Sequence, residues 1–143
     1  MDLSGVYTEM IAEHNKSGRN KKHLVEPTIV LKGRNPSCGD EISLELKVNN
    51  GVIEDAAFTG IGCAISQAST SMMIDLIRGQ NVEKAQEFIN TFLGMIKREI
   101  TDDDDLEILD EAIALKNISN MPARVKCAVL SWHTLEAAIK EGK

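Results

Sequence analysis

Three cysteines and one aspartate are the residues from which this chain could build chemistry. Cys38 stands in Asn35-Pro36-Ser37-Cys38-Gly39-Asp40, where proline and glycine mark a turn that displays its side chains. Asp40 follows two residues later, so a thiolate and a carboxylate can reach one point beyond the loop. Cys63 follows Gly60-Ile61-Gly62 and opens a helical segment. Unpaired N–H groups and the positive end of the helix dipole there suit a negatively charged sulfur. Cys127 falls about one turn into the last helix, beside its apolar stripe and flanked by Arg124 and Lys126. Three thiolates with Asp40 make four ligands, a set that suits tetrahedral Zn²⁺. The spacings of 25 and 64 residues match no compact zinc-finger pattern, and a cysteine can equally be a small buried hydrophobe. Metal binding, thiol chemistry and plain burial therefore stand side by side.

Other candidates carry less. His14 and His23 fall in or beside the first helix and its following loop and are expected to be solvated. His133 is expected on the surface. Gly60-Ile61-Gly62 lacks the third glycine of a dinucleotide fingerprint and the Gly-Lys-Ser/Thr of a P-loop, so it reads as a tight strand-to-helix turn that delivers Cys63. Residues 16–23 are locally basic through Lys16, Arg19, Lys21 and Lys22. They read as a solvated loop complementing a helix C-terminus, or as a docking patch for an acidic partner.

The elements that position these residues follow from periodicity. Leu3, Val6, Tyr7, Met10 and Ile11 repeat at helical spacing over 3–15 and end near Gly18. A short β-branched run at 28–31 follows Pro27. Ile42, Leu44, Leu46 and Val48 then alternate with Ser43, Glu45 and Lys47, a half-buried strand. Asn50-Gly51 supplies the positive φ angles of a type I′ hairpin, and 52–59 returns. From residue 64 the period becomes helical, with Ile65, Ala68, Met72 and Leu76 on one stripe and an end at Arg78-Gly79. A further helix spans about 82–97. Asp102, Asp103, Asp104 and Asp105 cap a short helix with Leu106, Leu109 and Ile113 inside. Pro122 starts the last helix, striped by Val125, Ala128, Trp132, Leu135 and Ile139. Strands first and helices afterwards predict an α+β fold, a small three-stranded antiparallel meander packed against helices, within one domain over 1–143.

Composition excludes several classes. Hydrophobic residues are 43% and charged residues 27%, which is globular, and aromatics at 3% leave the core to aliphatic residues and methionine. A net charge of −6 disfavours a nucleic-acid binder. There is no apolar run of membrane-span length and no secretory leader pattern, so the expected setting is the cytoplasm, with no membrane partner. An odd number of cysteines, three, argues against a disulfide framework.

Three ordered motifs then carry a resemblance over nearly the whole chain: Pro36-Ser37-Cys38-Gly39-Asp40, Phe58-Thr59-Gly60-Ile61-Gly62-Cys63-Ala64-Ile65-Ser66 with Ala68-Ser69, and Ala123-Arg124-Val125-Lys126-Cys127. They resemble the U-type proteins of iron–sulfur cluster assembly. Scaffold-type members have histidine immediately before the third cysteine and lysine two positions earlier still, where this chain has Lys126 and Arg124. That difference, and the longer stretch between the second and third cysteines, match the SUF-system, SufU-type branch. The resemblance implies a zinc-bound sulfurtransferase with ligands Cys38, Asp40, Cys63 and Cys127. It would take persulfide sulfur from a PLP-dependent cysteine desulfurase of the SufS type and pass it toward downstream SUF scaffold proteins. Its alternative is a scaffold carrying a transient [2Fe–2S] cluster on the same ligands; a zinc-stapled interaction module is a third reading. The sulfur acceptor must leave the metal before it attacks, so Cys38, on its Pro/Gly turn, is the expected catalytic residue. Arg124 is the expected supporting residue, pairing with a carboxylate or steadying Cys127.

Overall fold

The computed structural model describes residues 4–37 and 39–141, so Leu3 and Cys38 lie outside the described residues. The chain begins with helix α1 (Ser4–Ser17) and passes through a loop into three strands, β1 (Ile29–Asn35), β2 (Asp40–Asn49) and β3 (Val52–Ile61). Helices α2 (Ala64–Ile77), α3 (Val82–Ile96), α4 (Asp103–Leu106) and α5 (Pro122–Glu141) follow, with a 3₁₀ segment over Glu107–Asn120 between the last two. The sheet is antiparallel in the order β1-β2-β3. This is the expected α+β meander with its helices.

Local chemistry explains the sheet's register. Asn50 (φ 54°) and Gly51 (φ 78°) both take the left-handed conformation that a two-residue I′ turn requires. Leu44 pairs with Phe58 and Leu46 with Ala56, but Val48 pairs with Ile53, so the register shifts after Lys47. Glu54 is the extra residue, and the shift turns Ile53 inward beside Ala56 and Phe58. Ile42, Leu44 and Leu46 face the helices and are fully buried. The other side of β2 is polar but not wholly exposed. Glu45 is buried because the 21–28 segment lies over it: Leu24 N–H donates to its Oε1 at 2.9 Å, and His23 Nδ1 sits 2.6 Å from its Oε2.

The helical layer closes over the inner face of the sheet. Ala68, Met72, Met73, Ile74 and Ile77 of α2 meet Phe88, Ile89 and Phe92 of α3 and Trp132 and Leu135 of α5 in one continuous cluster. Trp132 stacks on Phe92 with ring centroids 4.1 Å apart. Its Nε1–H donates to Ser69 Oγ at 3.0 Å, and that hydroxyl donates to the Ala128 carbonyl at 2.6 Å, tying α2 to α5 inside the core. The acidic cap expected at α4 holds, with Asp102 accepting from Asp104 N–H, and Asn81 caps α3 by accepting from Lys84 N–H. The 3₁₀ segment departs from the simple short helix expected there. It bends at Asp110 (φ 50°, ψ −123°), and Leu109, Ala112, Leu115 and Ile118 are buried while Ile113 is only partly so.

Candidate metal centre

Two glycines and a turn build the floor of the site. Asn35 and Asp40 are paired across β1 and β2 and bracket the 36–39 turn, which Gly39 closes at φ +71°. Gly60, near the end of β3, has φ +134°, and a Cβ there would stand 2.1 Å from the Glu41 carbonyl oxygen. Only glycine lets β3 run so close to β2 at this point. Gly62 and Cys63 form a two-residue link into α2, in agreement with the tight turn read from the sequence. A Cβ on Gly62 would come within 2.6 Å of Asp40 Oδ1. The missing side chain admits the carboxylate.

Asp40 is buried, with 2% of its surface exposed. Its Oδ1 accepts from Cys63 N–H at 2.9 Å, whereas its Oδ2 is buried with no hydrogen-bond partner among the described residues. Cys63 is the N-cap of α2 in extended conformation (φ −71°, ψ 167°), and its Sγ accepts from Ser66 N–H at 3.4 Å. The cysteine thus plays the part that serine or aspartate usually takes at a helix start. Cys127, in the second turn of α5, is buried at 1% exposure. Sequence periodicity set it beside the apolar stripe; the structure buries it together with Ala128, Ser131 and Trp132. One ligand atom from each of Asp40, Cys63 and Cys127 falls within 4.8 Å of the others.

That geometry fits a thiophilic divalent ion. Ligand atoms around tetrahedral zinc lie about 3.5–3.8 Å apart, given Zn–S near 2.3 Å and Zn–O near 2.1 Å. Three donors from β2, the α2 cap and α5 already approach that spacing. A buried carboxylate oxygen without a donor is costly unless a cation faces it. Cys38, two residues before Asp40 in the sequence, lies outside the described residues. Arg124 is exposed in the first turn of α5, three residues before Cys127.

A second group of potential ligands was missed by sequence reasoning. His14 is buried at 2% exposure instead of solvated. Its Nδ1 lies 2.7 Å from Ser71 Oγ and its Nε2 2.9 Å from Glu111 Oε2, with Asp75 alongside. Arg19 fills the cation's role there, 2.8 Å from Asp75 Oδ2 and 3.0 Å from His14 Nε2. This cluster is a structural pin between α1, α2 and the 3₁₀ segment. It also accounts for part of the basic stretch after α1, since Arg19 is engaged internally. His133 is exposed, as expected, and His23 is largely exposed while touching Glu45.

The chain has relatives over nearly its whole length. Residues 6–143 match the model of the NifU-like N-terminal domain. The chain belongs to that family. It is 41% identical over 136 residues to the iron–sulfur cluster assembly scaffold protein IscU of Thermotoga maritima, covering 95% of this chain and 94% of that one. It is 40% identical over 139 residues to the zinc-dependent sulfurtransferase SufU of Bacillus subtilis, covering 96% and 92%. The crystal structure of FiSufU from Fervidobacterium islandicum superposes with a TM-score of 0.86 at 36% identity, covering 94% of this chain and 96% of that one. An N-terminal NifU-like protein from Brucella abortus shares the fold at 21% identity, with a TM-score of 0.81. This is a family of iron–sulfur cluster assembly proteins. No described helix is long and apolar enough to cross a membrane.

Proposed function

We propose that this chain is a zinc-dependent sulfurtransferase of iron–sulfur cluster biogenesis, acting in the cytoplasm as one unit over residues 1–143. It accepts persulfide sulfur from a SufS-type, PLP-dependent cysteine desulfurase and hands it to downstream SUF scaffold proteins. The observation that carries this reading is the convergence of Asp40, Cys63 and Cys127, with one carboxylate oxygen unpartnered among the described residues. Zinc, when bound by Cys38, Asp40, Cys63 and Cys127, would keep the sulfurs ionised at neutral pH. Cys63 is tied into the α2 cap and Cys127 into the packed face of α5, whereas Cys38 stands between Pro36 and Gly39 in a turn sequence. Cys38 is therefore the acceptor. Its thiolate attacks the outer sulfur of the desulfurase persulfide; the new S–S bond forms on Cys38, the old one breaks, and the desulfurase thiolate leaves with the electron pair. Arg124 is exposed in the first turn of α5, and its guanidinium can pair with a carboxylate of the partner or steady the site.

The relative named IscU is as similar as the one named SufU, which supports a second reading: a scaffold for a transient [2Fe–2S] cluster on the same ligands. Lys126, in the place where scaffold-type members have histidine, favours sulfur transfer. Protein purified without added iron should be colourless and hold about one zinc per chain. After a single desulfurase turnover, peptide mass spectrometry should find persulfide on Cys38, and Cys38→Ser should dock without accelerating the desulfurase. A brown product whose iron and sulfide survive gel filtration would establish the scaffold reading instead. Persulfide on Cys127 with Cys38 unmodified would overturn the acceptor assignment.

A further inference from the structure

Cys63 and Cys127 are both free cysteines, and their sulfurs lie within 4.8 Å of each other. They come from distant parts of the chain, the cap of α2 and the second turn of α5. The two helices are nevertheless bonded beside them, where Ser69 Oγ donates to the Ala128 carbonyl at 2.6 Å. Packing of α2 on α5, and not a shared ion alone, therefore holds the pair together. Exposure separates the two thiols. Cys63 is partly exposed beside the exposed Gly62, whereas Cys127 is buried at 1%. That is the arrangement of a thiol that meets an oxidant with a second thiol behind it to resolve the product. A disulfide sets its sulfurs about 2.05 Å apart, so less than about 3 Å must close, a distance that rotation about the two Cα–Cβ bonds supplies.

We propose that Cys63 and Cys127 are a redox pair that a hydroperoxide closes to a disulfide, and that this bond and the metal exclude each other. In the first step the Cys63 thiolate attacks the peroxide, the O–O bond breaks, and Cys63 becomes a sulfenic acid as hydroxide leaves. In the second the Cys127 thiolate attacks that sulfur, the S–S bond forms, and hydroxide leaves with the electron pair of the broken S–O bond. The thiols give up two electrons and two protons, and the peroxide ends as water. A sulfur binds metal as thiolate, so the closed pair withdraws two ligands and leaves only Asp40 among the described ones. Metal bound to the open dithiol opposes closure, and closure expels the metal, as reciprocal linkage requires. The exclusion rests on the metal-site reading above; the bond does not.

The test treats the full chain with hydrogen peroxide, once metal-free and once loaded with zinc, and maps the cysteines by non-reducing peptide mass spectrometry. The metal-free chain should carry a Cys63–Cys127 link, and the Cys38→Ser variant should carry it too. The loaded chain should link more slowly and release about one zinc per link to a chromophoric chelator. It should not take zinc back until a thiol reductant reopens the bond. Cys127→Ala should form no link and accumulate sulfinic acid on Cys63. Oxidised Cys63 without a link in the metal-free chain, or links made only to Cys38, would overturn the pair. A linked chain that still binds zinc at the wild-type stoichiometry would overturn the exclusion. Wild-type protein that holds no zinc yet links Cys63 to Cys127 would remove the metal reading and the exclusion with it, while the redox pair stands.

Discussion

At the scale of single residues, Asp40 serves two masters with its two oxygens. Oδ1 fixes the start of α2 through Cys63 N–H, and Oδ2 is left over for a cation. Asp40→Asn keeps an oxygen for the first task and loses the charge needed for the second. The variant should hold zinc through its thiols but release it roughly tenfold faster or more, measured by transfer to a chromophoric chelator. Unchanged release would place the oxygen ligand elsewhere. Gly62→Ala attacks the same joint sterically, since the new Cβ must displace Asp40 Oδ1 from 2.6 Å. It should cost about 1–3 kcal/mol in urea unfolding and weaken metal binding together. Gly18→Ala is the control: nothing stands near its Cβ, its φ is +57°, and it should cost about 1 kcal/mol without touching metal affinity. Equal metal affinity in Gly62→Ala and Gly18→Ala would show that Asp40 is not held by this close approach.

At the scale of elements, the joints between helices and sheet are polar. Ser69→Ala leaves the Trp132 N–H buried without an acceptor, and should cost about 1–3 kcal/mol by urea denaturation. A neutral result would mean that α5 settles onto α2 without the tie. Arg78, at the end of α2, donates to Asp55 of β3, the Ala56 carbonyl and Asn20 of the preceding loop. Partial burial of Asp55 opposes its ionisation, but the Ala56 N–H and the Arg78 guanidinium outweigh it and hold the carboxyl below its usual 3.8. A carboxyl more acidic in the folded state stabilises fully above the unfolded value and loses that contribution as pH falls through the lower folded one. Asp55→Asn should accordingly flatten the acid limb of the stability profile below about pH 4; an unaltered limb would assign acid unfolding to other groups. The strands, the Asn50-Gly51 hairpin and the starts of α2, α3 and α5 were legible because their signals are local: alternation, left-handed turn residues, caps and Pro122. The burial of His14 was not, because its partners Ser71 and Glu111 stand 57 and 97 residues away. The 3₁₀ segment was also hidden, since its bend falls at Asp110, where the sequence has no glycine or proline to mark it. Of the site, the ligand types and their turn or helix-start positions could be read, but not the inward turn of Cys127 or the glycine-made space for Asp40.

At the scale of the whole molecule, the candidate ligands join the β1–β2 turn, the β3–α2 link and the last helix, while the aliphatic core between them needs no metal. Metal that binds only the folded chain stabilises it by mass action, so the melting temperature should rise with free zinc and fall on chelation. The chelated chain should keep a cooperative transition, because Leu44, Leu46, Ile74, Phe92 and Leu135 remain packed. Calorimetry before and after verified metal removal checks both halves; an unchanged melting curve would mean that the ligands do not act together. Trp132 adds a practical consequence. It is the chain's one tryptophan, locked face to face with Phe92 at an interplanar angle of 6° and bonded through its N–H to α2, on the helix that carries Cys127. Its emission therefore reports a single rigid junction without background from any other indole. Loading of the candidate metal site and docking of a tryptophan-free partner can each be timed by stopped-flow fluorescence on the unlabelled protein.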